Sequence, residues 1–358
     1  MGSAVPAKPE LPPVTTLRTE RMDLPGILER LAQRHSLTAA EMEEVVAAIM
    51  SGGLTAAQLG GFLMALRTKG ETIDEITGAA RAMRRFATRV ESRHDLVDTC
   101  GTGGDGGGTF NISTAAALIA AGAGVVVAKH GNRAMSGKVG GADVLEALGV
   151  RLDLGPEGIA RCLDGAGIGF LFAPSFHPAM RHAGAVRREL GVRTIFNLLG
   201  PLANPAGARR QVLGVFSEQW VGPLAHALSQ LGSERALVVH GNDGLDEISI
   251  CAPTRVAELC AGSVRAYEID AADLGIARCA AAELRGGDAA ANAEILRRVL
   301  RGEATAAQSG VALVNAAAVV WISGLEPSLR EGLERARRAV ESGDAARVLE
   351  RLVELSHA

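Results

Sequence analysis

Residues 98–114 read DTCGTGGDGGGTFNIST, and six of the eight residues from 101 to 108 are glycine. Residues 96–100 predict a short strand, and a helix is expected to start at Ser113 or Thr114. Glycine lets backbone N–H groups approach a ligand closely, and a helix N-terminus favours an anion. The stretch therefore favours a phosphate or pyrophosphate site over its alternative, a flexible glycine loop before an ordinary helix.

A second strand is predicted over residues 125–128, and the order strand, loop, helix, strand is typical of a parallel α/β sheet. The alternation returns in a strand over 212–216, a helix over 221–231 and a strand over 236–240. The C-terminal third is predicted to be mainly helix, roughly over 289–301, 309–323 and 327–355.

Short helices are predicted before the glycine-rich stretch, from residue 23 to about 90. Three capping boxes mark their starts, Thr38 with Glu41, Thr55 with Gln58 and Thr72 with Glu75. Residues 178–205 look helical again, with a Pro/Asn-rich turn over 200–205.

The predicted fold class is α/β, a small all-helical domain plus a larger α/β domain with a central, mainly parallel sheet. Residues 1–21 are expected to be a disordered or vector-derived tail. We assign 22–92 to the helical domain, completed by 178–205. The α/β domain, which would bind the phosphate ligand, takes 93–177 and 206–358.

Composition narrows the class of protein. The chain has 358 residues, which at roughly 150 residues per domain suggests two domains. It is 47% hydrophobic and 22% charged, which excludes disorder as the main state. Aromatic residues make up 3% and the net charge is −3, so neither a base-stacking surface nor a broad cationic face for nucleic acid is expected.

The cysteine pattern indicates a reducing compartment. There are five cysteines at wide spacing and no CxxC pair, so neither a zinc site nor a disulfide framework is expected. The longest apolar run, 115–128, is shorter than the ~18 residues of a membrane span, and residues 1–13 lack the apolar core of a signal peptide. We therefore expect a cytoplasmic protein that does not contact a membrane.

The common nucleotide motifs fit poorly. Residues 101–106 match GxGxxG, but the second strand runs into KHGNR at 129–133 instead of the acidic residue that binds a ribose. The Walker A pattern fails because Gly106 is followed by Gly107. A cationic strand end suits another phosphate, which Lys129 and Ser136 are placed to hold, while Asn132 is placed to orient a polar substrate.

Two further stretches carry charged groups. Asp246 and Glu247 are adjacent carboxylates after a predicted strand, and Mg²⁺ is commonly held by one or two carboxylates plus phosphate oxygens and waters. With a phosphate loop they predict a metal-bridged diphosphate. The predicted helix within 176–191 carries Arg181, Arg187 and Arg188, any one of which can bind a substrate carboxylate by two hydrogen bonds.

Five stretches of the chain resemble the anthranilate phosphoribosyltransferases, in order and at family-like spacing. They are GTGGD…FNIST at 101–114, KHGNR at 129–133, ADVLEALG at 142–149, VRRELGVRTIFNLLGPLANP at 186–205 and DGLDEIS at 243–249. The resemblance implies transfer of phosphoribose from phosphoribosyl pyrophosphate to anthranilate, in tryptophan biosynthesis. It also implies the fold of pyrimidine nucleoside phosphorylases and a homodimer formed through the helical domains.

The same resemblance implies site residues. Contacts to phosphoribosyl pyrophosphate are implied for Gly101, Gly104, Asp105, Thr109, Asn111, Ile112, Ser113, Thr114, Lys129, His130, Gly131, Asn132, Arg133, Ala134, Met135, Ser136, Gly137 and Gly141. Two Mg²⁺ ions are implied, one held by Ser113 and Glu247 and one by Asp246 and Glu247. Anthranilate contacts are implied for Gly101, Asn132 and Arg187, with His130 beside them.

Val139 departs from the family, which usually has Ser there, and Gly141 stands where Ser is also common. No strong general base is evident, so catalysis is expected to rest on positioning two substrates and stabilising the departing pyrophosphate. The nearer alternative is a pyrimidine nucleoside phosphorylase-like enzyme, which needs no Mg²⁺. The second alternative is a non-catalytic relative that binds nucleic acid. A dinucleotide-dependent oxidoreductase is a more distant alternative.

Overall fold

A computed structural model describes residues 22–103, 108–134 and 139–358 of the chain. Four helices come first: α1 (Leu24–Ala32), α2 (Ala39–Met50), α3 (Ala56–Lys69) and α4 (Ile73–Phe86). The three predicted capping boxes are confirmed, since each Thr accepts from the backbone three residues on and each Glu or Gln returns a bond. These reciprocal bonds fix where α2, α3 and α4 begin.

The sheet contains seven strands in the described residues, in the order β3-β2-β1-β4-β5-β6-β7. They are β1 (Leu96–Gly101), β2 (Val126–Gly131), β3 (Ile168–Phe172), β4 (Arg210–Gly214), β5 (Arg235–Gly241), β6 (Thr254–Cys260) and β7 (Ser263–Ile269). The first five in chain order are parallel, and β6 and β7 are antiparallel. The predicted α/β class with a mainly parallel sheet is confirmed.

Helices cover both faces of this sheet. They are α5 (Ile112–Gly122), α6 (Gly141–Ala147), α7 (Pro156–Ala166), α8 (Ala173–Phe176), α9 (Arg181–Leu190), α10 (Phe196–Leu199), α11 (Val221–Gln230), α12 (Ala289–Arg301), α13 (Ala306–Ser323), α14 (Leu329–Glu341) and α15 (Asp344–Ser356). Helix α13 is long and apolar enough to cross a membrane, but 67% of it is buried within the protein, as in a core helix.

Two predictions for the C-terminal third are wrong. The single helix expected over 327–355 is two helices, because Gly343 at φ +76 adopts a left-handed conformation between α14 and α15. The β6–β7 hairpin was not expected at all. Its two-residue turn, Ala261 and Gly262, has positive φ at both positions, and Ala is not a residue that signals such a turn. Strand β4 also lies two residues earlier than predicted.

The sheet separates two hydrophobic clusters by simple alternation. Val212, Leu237 and Val239 face one cluster, with α5, α12, α13 and α15. Leu213 and Val238 face the other, which also contains the apolar side chains of α2, α3 and α4 and those of α9 and α10. Side chains of α9 and α10 therefore share a core with the N-terminal helices, and the same core continues onto the sheet. The domain boundaries themselves stay a prediction.

Strand order places a binding crevice at the centre of the sheet. From β1 the chain moves to β2 and β3 on one side, whereas β4 and β5 lie on the other side. In open α/β sheets, ligands bind beyond the carboxyl ends of the strands where the order reverses. Gly101 and Gly214 are register partners at the ends of β1 and β4, so the crevice begins at these two glycines.

Candidate active site

The acidic loop, residues 243–249, lies directly on the two glycines. A Cβ at Gly214 would be 1.5 Å from the carbonyl oxygen of Asp246, and one at Gly101 would be 2.5 Å from its Oδ2. The backbone N–H of Gly103 donates to Asp246 Oδ2 at 2.9 Å. The missing side chains thus let the predicted acidic pair reach the glycine-rich loop, although 143 positions separate Gly103 from Asp246.

Other contacts hold the acidic loop from beneath. Asp243 Oδ2 accepts from Ser249 Oγ at 2.7 Å, so Asp243 stabilises the turn, as expected of a residue with no ligand role. The backbone of Ile248 makes two bonds of 2.9 Å with the side-chain amide of Asn315 on α13. Glu247 is buried, with 8% of its surface exposed. These bonds fix the loop so that Asp246 and Glu247 stay at the strand ends.

Lys129, at the end of β2, is a buried cation beside this pair. Its Nζ donates to Thr99 O at 2.6 Å and to Ser113 Oγ at 3.2 Å. Burial lowers the pKa of Lys129, while the nearby anionic groups, Asp98 and the acidic pair among them, act to raise it. The ammonium group therefore links the first turn of α5 to the strand ends and adds positive charge where a phosphate is expected.

Asp98, in the middle of β1, is a buried carboxylate beside the site that the sequence motifs do not single out. Its Oδ1 accepts from His130 N at 3.1 Å and its Oδ2 accepts from Gln211 Nε2 at 3.2 Å. Burial raises the pKa of this carboxyl above its ordinary value. An aspartate inside an apolar strand is the signal that sequence inspection had available, since buried carboxylates cluster at functional sites.

His130 forms a buried pair with His177, which the sequence did not single out. Their ring centroids are 5.1 Å apart, and His130 Nδ1 lies 3.0 Å from Gly200 O. Within the described residues, Nε2 of each ring is buried without a hydrogen-bond partner. Burial lowers the pKa of His130 to about 3 and that of His177 to about 4. Both imidazoles are therefore neutral near pH 7.

The neutral pair predicts acid sensitivity of the fold. An unfolded histidine has a pKa of ~6.5, so below that pH the unfolded chain takes up protons that the folded chain does not. The free energy of unfolding should fall as the pH decreases from ~6.5 toward ~4. His177→Gln should reduce this slope by up to about 1.4 kcal/mol per pH unit, measured by urea unfolding across that window. An unchanged slope in the variant would show that His177 is not a buried neutral group.

Asn111 joins the glycine-rich loop to the loop after β2. Its side chain does not cap α5; instead Nδ2 donates to Val139 O at 3.2 Å, and Oδ1 accepts from Asn292 Nδ2 at 3.1 Å. Val139 contributes its carbonyl to this contact, and its side chain packs on the core. This contact therefore uses the backbone carbonyl at position 139 and does not depend on the side chain there.

The loop after β2 is held by carboxylates of α6. Arg133 pairs with Asp143 at 2.9 Å and with Glu146 at 2.8 Å, and Asn132 is exposed. Asp143 also accepts from the backbone N–H groups of Ala134 and Gly140. The guanidinium of Arg133 is thus engaged by α6, while the side-chain oxygen of exposed Asn132 accepts from the backbone N–H of Arg133 at 2.8 Å.

Of the remaining predicted residues, four lie in the described part of the chain and five lie outside it. Ile112 is buried in the core, so its side chain offers nothing to a ligand. A Cβ at Gly141 would lie 3.4 Å from Thr114 Oγ1, an ordinary van der Waals contact that leaves room for a small side chain. Gly131 is the last residue of β2, and Thr109 forms an isolated antiparallel β-bridge with Arg285. Gly104, Asp105, Met135, Ser136 and Gly137 lie outside the described residues.

The structure distinguishes Arg187 from its neighbours on α9. Arg181 and Arg188 are exposed, whereas Arg187 is half-buried with its guanidinium 5.3 Å from the ring centroid of Phe196. Burial lowers the pKa of Arg187, which nevertheless stays a cation. Phe196 begins α10, which leads to Gly200 and so to His130. Of the three arginines on α9, Arg187 is therefore the one whose guanidinium is partly buried and in contact with α10.

The set of ligands suits Mg²⁺ shared with a phosphate. No group of three or more His, Cys, Asp or Glu side chains able to hold a metal occurs in the described residues. The acidic pair and the Ser113 hydroxyl supply hard oxygen atoms, which Mg²⁺ prefers and completes with substrate phosphates and waters. The residues present fit that mode and do not form an all-protein metal cage.

Comparison with known proteins identifies the class. Residues 25–87 match the model of the glycosyl transferase family, helical bundle domain, and residues 93–346 match that of its a/b domain. The chain is 54% identical over 329 residues to an anthranilate phosphoribosyltransferase of Rubrobacter xylanophilus, covering 92% of this chain and 96% of that protein. The fold and the site thus define a glycosyl transferase of phosphoribosyl type.

Solved structures agree. The Thermus thermophilus anthranilate phosphoribosyltransferase is 46% identical with a TM-score of 0.88, covering 92% of this chain and 99% of that one. The Saccharomyces cerevisiae enzyme in complex with PRPP and Mg is 27% identical with a TM-score of 0.85, covering 94% and 98%. This chain belongs to the anthranilate phosphoribosyltransferase family, which confirms the resemblance drawn from the five motifs.

Proposed function

We propose that this chain transfers the 5-phosphoribosyl group of phosphoribosyl pyrophosphate to the amine of anthranilate. The products are N-(5′-phosphoribosyl)anthranilate and pyrophosphate, in tryptophan biosynthesis. The observation that carries the proposal is the acidic pair seated on Gly101 and Gly214, beside buried Lys129. A phosphate loop, a cation and two carboxylates meet there, and family membership supports the same reaction.

Phosphoribosyl pyrophosphate would lie between the glycine-rich loop and the loop after β2. Backbone N–H groups at the start of α5 and the Lys129 ammonium provide positive potential for its phosphates. The proposed contacts are the full set implied by the family motifs. For Ile112 and Arg133, burial and ion pairing favour contact through the backbone.

Mg²⁺ is the proposed cofactor, as two ions: one on Ser113 and Glu247 and one on Asp246 and Glu247. The yeast relative solved in complex with PRPP and Mg supports its use. The chemistry that bound Mg²⁺ supplies is neutralisation of the charge that grows on the departing pyrophosphate. Ser113 Oγ already accepts from Lys129, so this ammonium shares the hydroxyl proposed as a metal ligand.

Anthranilate would lie opposite, with its carboxylate on Arg187 and with Asn132 and Gly101 alongside. The yeast relative is also solved in complex with 4-fluoroanthranilate. An aniline is neutral at pH 7, so attack does not require a strong base. Neutral His130 suits this position, because an imidazolium would oppose the positive charge that develops on the ribose carbon. Rate acceleration then comes mainly from holding both substrates in a reactive pose.

The direct test is the loss of anthranilate fluorescence with purified protein, with and without phosphoribosyl pyrophosphate and Mg²⁺. We expect turnover only when both are present. Turnover of a pyrimidine nucleoside with inorganic phosphate, independent of Mg²⁺, would overturn the proposal in favour of the phosphorylase alternative. Binding of nucleic acid without any turnover would favour the non-catalytic one.

Arg187→Ala is expected to raise the KM for anthranilate by roughly 100-fold or more, because a charge-assisted bond to the carboxylate is lost. The KM for phosphoribosyl pyrophosphate should change by less than about threefold. Steady-state kinetics with each substrate varied in turn separates the two constants. Arg188→Ala, one position away and exposed, is the matched control. Equal increases in both constants would contradict the carboxylate role.

Two coarser properties belong to the same proposal. We infer a homodimer formed through the helical domain, 22–92 with 178–205; Met64 on α3 and Val192 after α9 are exposed apolar residues, 37% and 44% accessible. Sedimentation equilibrium tests it. A cytoplasmic location is supported by the thiol state of all five cysteines, each of which lies in the described part of the chain.

A further inference from the structure

Two cysteines that are distant in sequence are in contact beside the site. Cys251 and Cys279 lie 28 positions apart, and their sulfur atoms are 3.3 Å apart. Both are half-buried, whereas Cys100 and Cys162 are buried and Cys260 is exposed. A disulfide has an S–S distance of ~2.05 Å. The pair is therefore close enough to be bonded after an approach of about 1.3 Å.

Cys251 belongs to the segment that carries the acidic pair. Its backbone N–H donates to Ser249 Oγ at 2.9 Å, and that hydroxyl donates to Asp243 at 2.7 Å. Its carbonyl accepts from Arg278, the residue before Cys279, at 3.2 Å. A displacement of Cys251 is thus passed directly to the turn that places Asp246 and Glu247.

Cys279 belongs to the segment that supports the glycine-rich loop from the other side. A few residues further on, Leu284 O accepts from Phe110 N at 3.1 Å, and Gly286 N donates to Gly108 O at 2.9 Å. Between these two bonds, Thr109 forms an isolated antiparallel β-bridge with Arg285. The two cysteines therefore connect the supports of the two loops that form the proposed diphosphate site.

We infer that Cys251 and Cys279 form a reversible disulfide that links these two supports and lowers phosphoribosyl transfer. The disulfide itself follows from the contact between the sulfurs, while its effect on turnover rests on the proposed function. Closing the gap between the sulfurs must move one or both segments. A displacement of the order of 1 Å at reacting groups can cost up to ~100-fold in rate.

The oxidant belongs to the class of low-molecular-weight disulfides, RSSR. The thiolate of either cysteine attacks one sulfur of RSSR, forming a mixed disulfide and releasing RS⁻. The other cysteine, whose sulfur lies 3.3 Å away, then loses its proton to solvent and attacks the protein sulfur of the mixed disulfide, releasing a second RS⁻. Two protein thiols are oxidised and one RSSR is reduced to two thiols.

The test incubates the full chain with oxidised glutathione, blocks the remaining thiols in denaturant, and maps disulfides by mass spectrometry. We expect the peptides containing Cys251 and Cys279 to be joined, with the loss of two hydrogens. In the same sample kcat should fall about tenfold or more, and dithiothreitol should restore it. Oxidation should also raise the melting temperature by several degrees, because the bond closes a long loop.

Three variants make the outcome decisive. Cys251→Ser and Cys279→Ser should each have the same kcat as the reduced wild-type protein. Neither variant should lose activity when it is incubated with oxidised glutathione. Cys260→Ser, which removes the exposed cysteine, should respond like the wild type. Absence of the joined peptide overturns the inference, and so does a joined peptide with unchanged kcat. Absence of turnover in the reduced protein would instead overturn the proposed function, since the peptide map needs no activity.

Discussion

Removing the charge of the acidic pair, by Asp246→Asn with Glu247→Gln, is expected to lower kcat by at least about 1000-fold at saturating Mg²⁺. The amides are nearly isosteric, and the new residue at 246 retains an oxygen for the Gly103 N–H. The fold should therefore survive, while the anionic ligands proposed for both metal ions are lost. Initial rates across a Mg²⁺ titration, with circular dichroism as a check on folding, measure the effect.

The matched control is Asp153→Asn with Glu157→Gln, which removes the same two charges from exposed positions outside the acidic loop. It should retain the activity and Mg²⁺ dependence of the wild type. If the double variant at 246 and 247 turned over with unchanged Mg²⁺ dependence, the metal assignment would be wrong.

Local sequence signals predicted local structure well. The capping boxes predicted where α2, α3 and α4 begin. In each box the Thr side chain accepts from the backbone N–H three residues on, and the Glu or Gln there accepts from the backbone N–H of the Thr, so the bonds are local. The β6–β7 hairpin could not be found in this way. Strand β7 is mostly exposed, its turn is Ala-Gly, and only pairing with β6 makes it a strand.

In the candidate site, too, the residue types could be predicted from the sequence but their long-range contacts could not. The glycine-rich loop and the acidic pair are visible as residue types in sequence, but the reason they meet is not. Gln211 and Asp98 are 113 positions apart and are joined only by the pairing of β4 with β1. His177 likewise belongs to the site only because its ring contacts that of His130. Long-range packing decides these contacts, and no local pattern records it.

Gly214 tests the packing of the acidic loop on the strand ends without touching a charged group. A Cβ there would lie 1.5 Å from the carbonyl oxygen of Asp246, whereas real Cβ contacts essentially never fall below 3.0 Å. Gly214→Ala must therefore widen the separation between β4 and the Asp246 carbonyl by about 1.5 Å, the difference between these two distances. We expect a loss of at least about 100-fold in kcat/KM and a destabilisation of about 1–3 kcal/mol.

Gly222→Ala is the matched control, since a Cβ on this α11 glycine meets nothing within 4 Å. Alanine there should leave activity unchanged and stabilise the protein by up to about 1 kcal/mol, because glycine disfavours a helix. Kinetics and urea unfolding of the two variants separate displacement of the acidic loop from a general effect of adding a methyl group. Full activity in Gly214→Ala would mean that the position of Asp246 over β4 is not required for turnover. The metal and diphosphate assignments, which place both groups at that point, would then lose their structural basis.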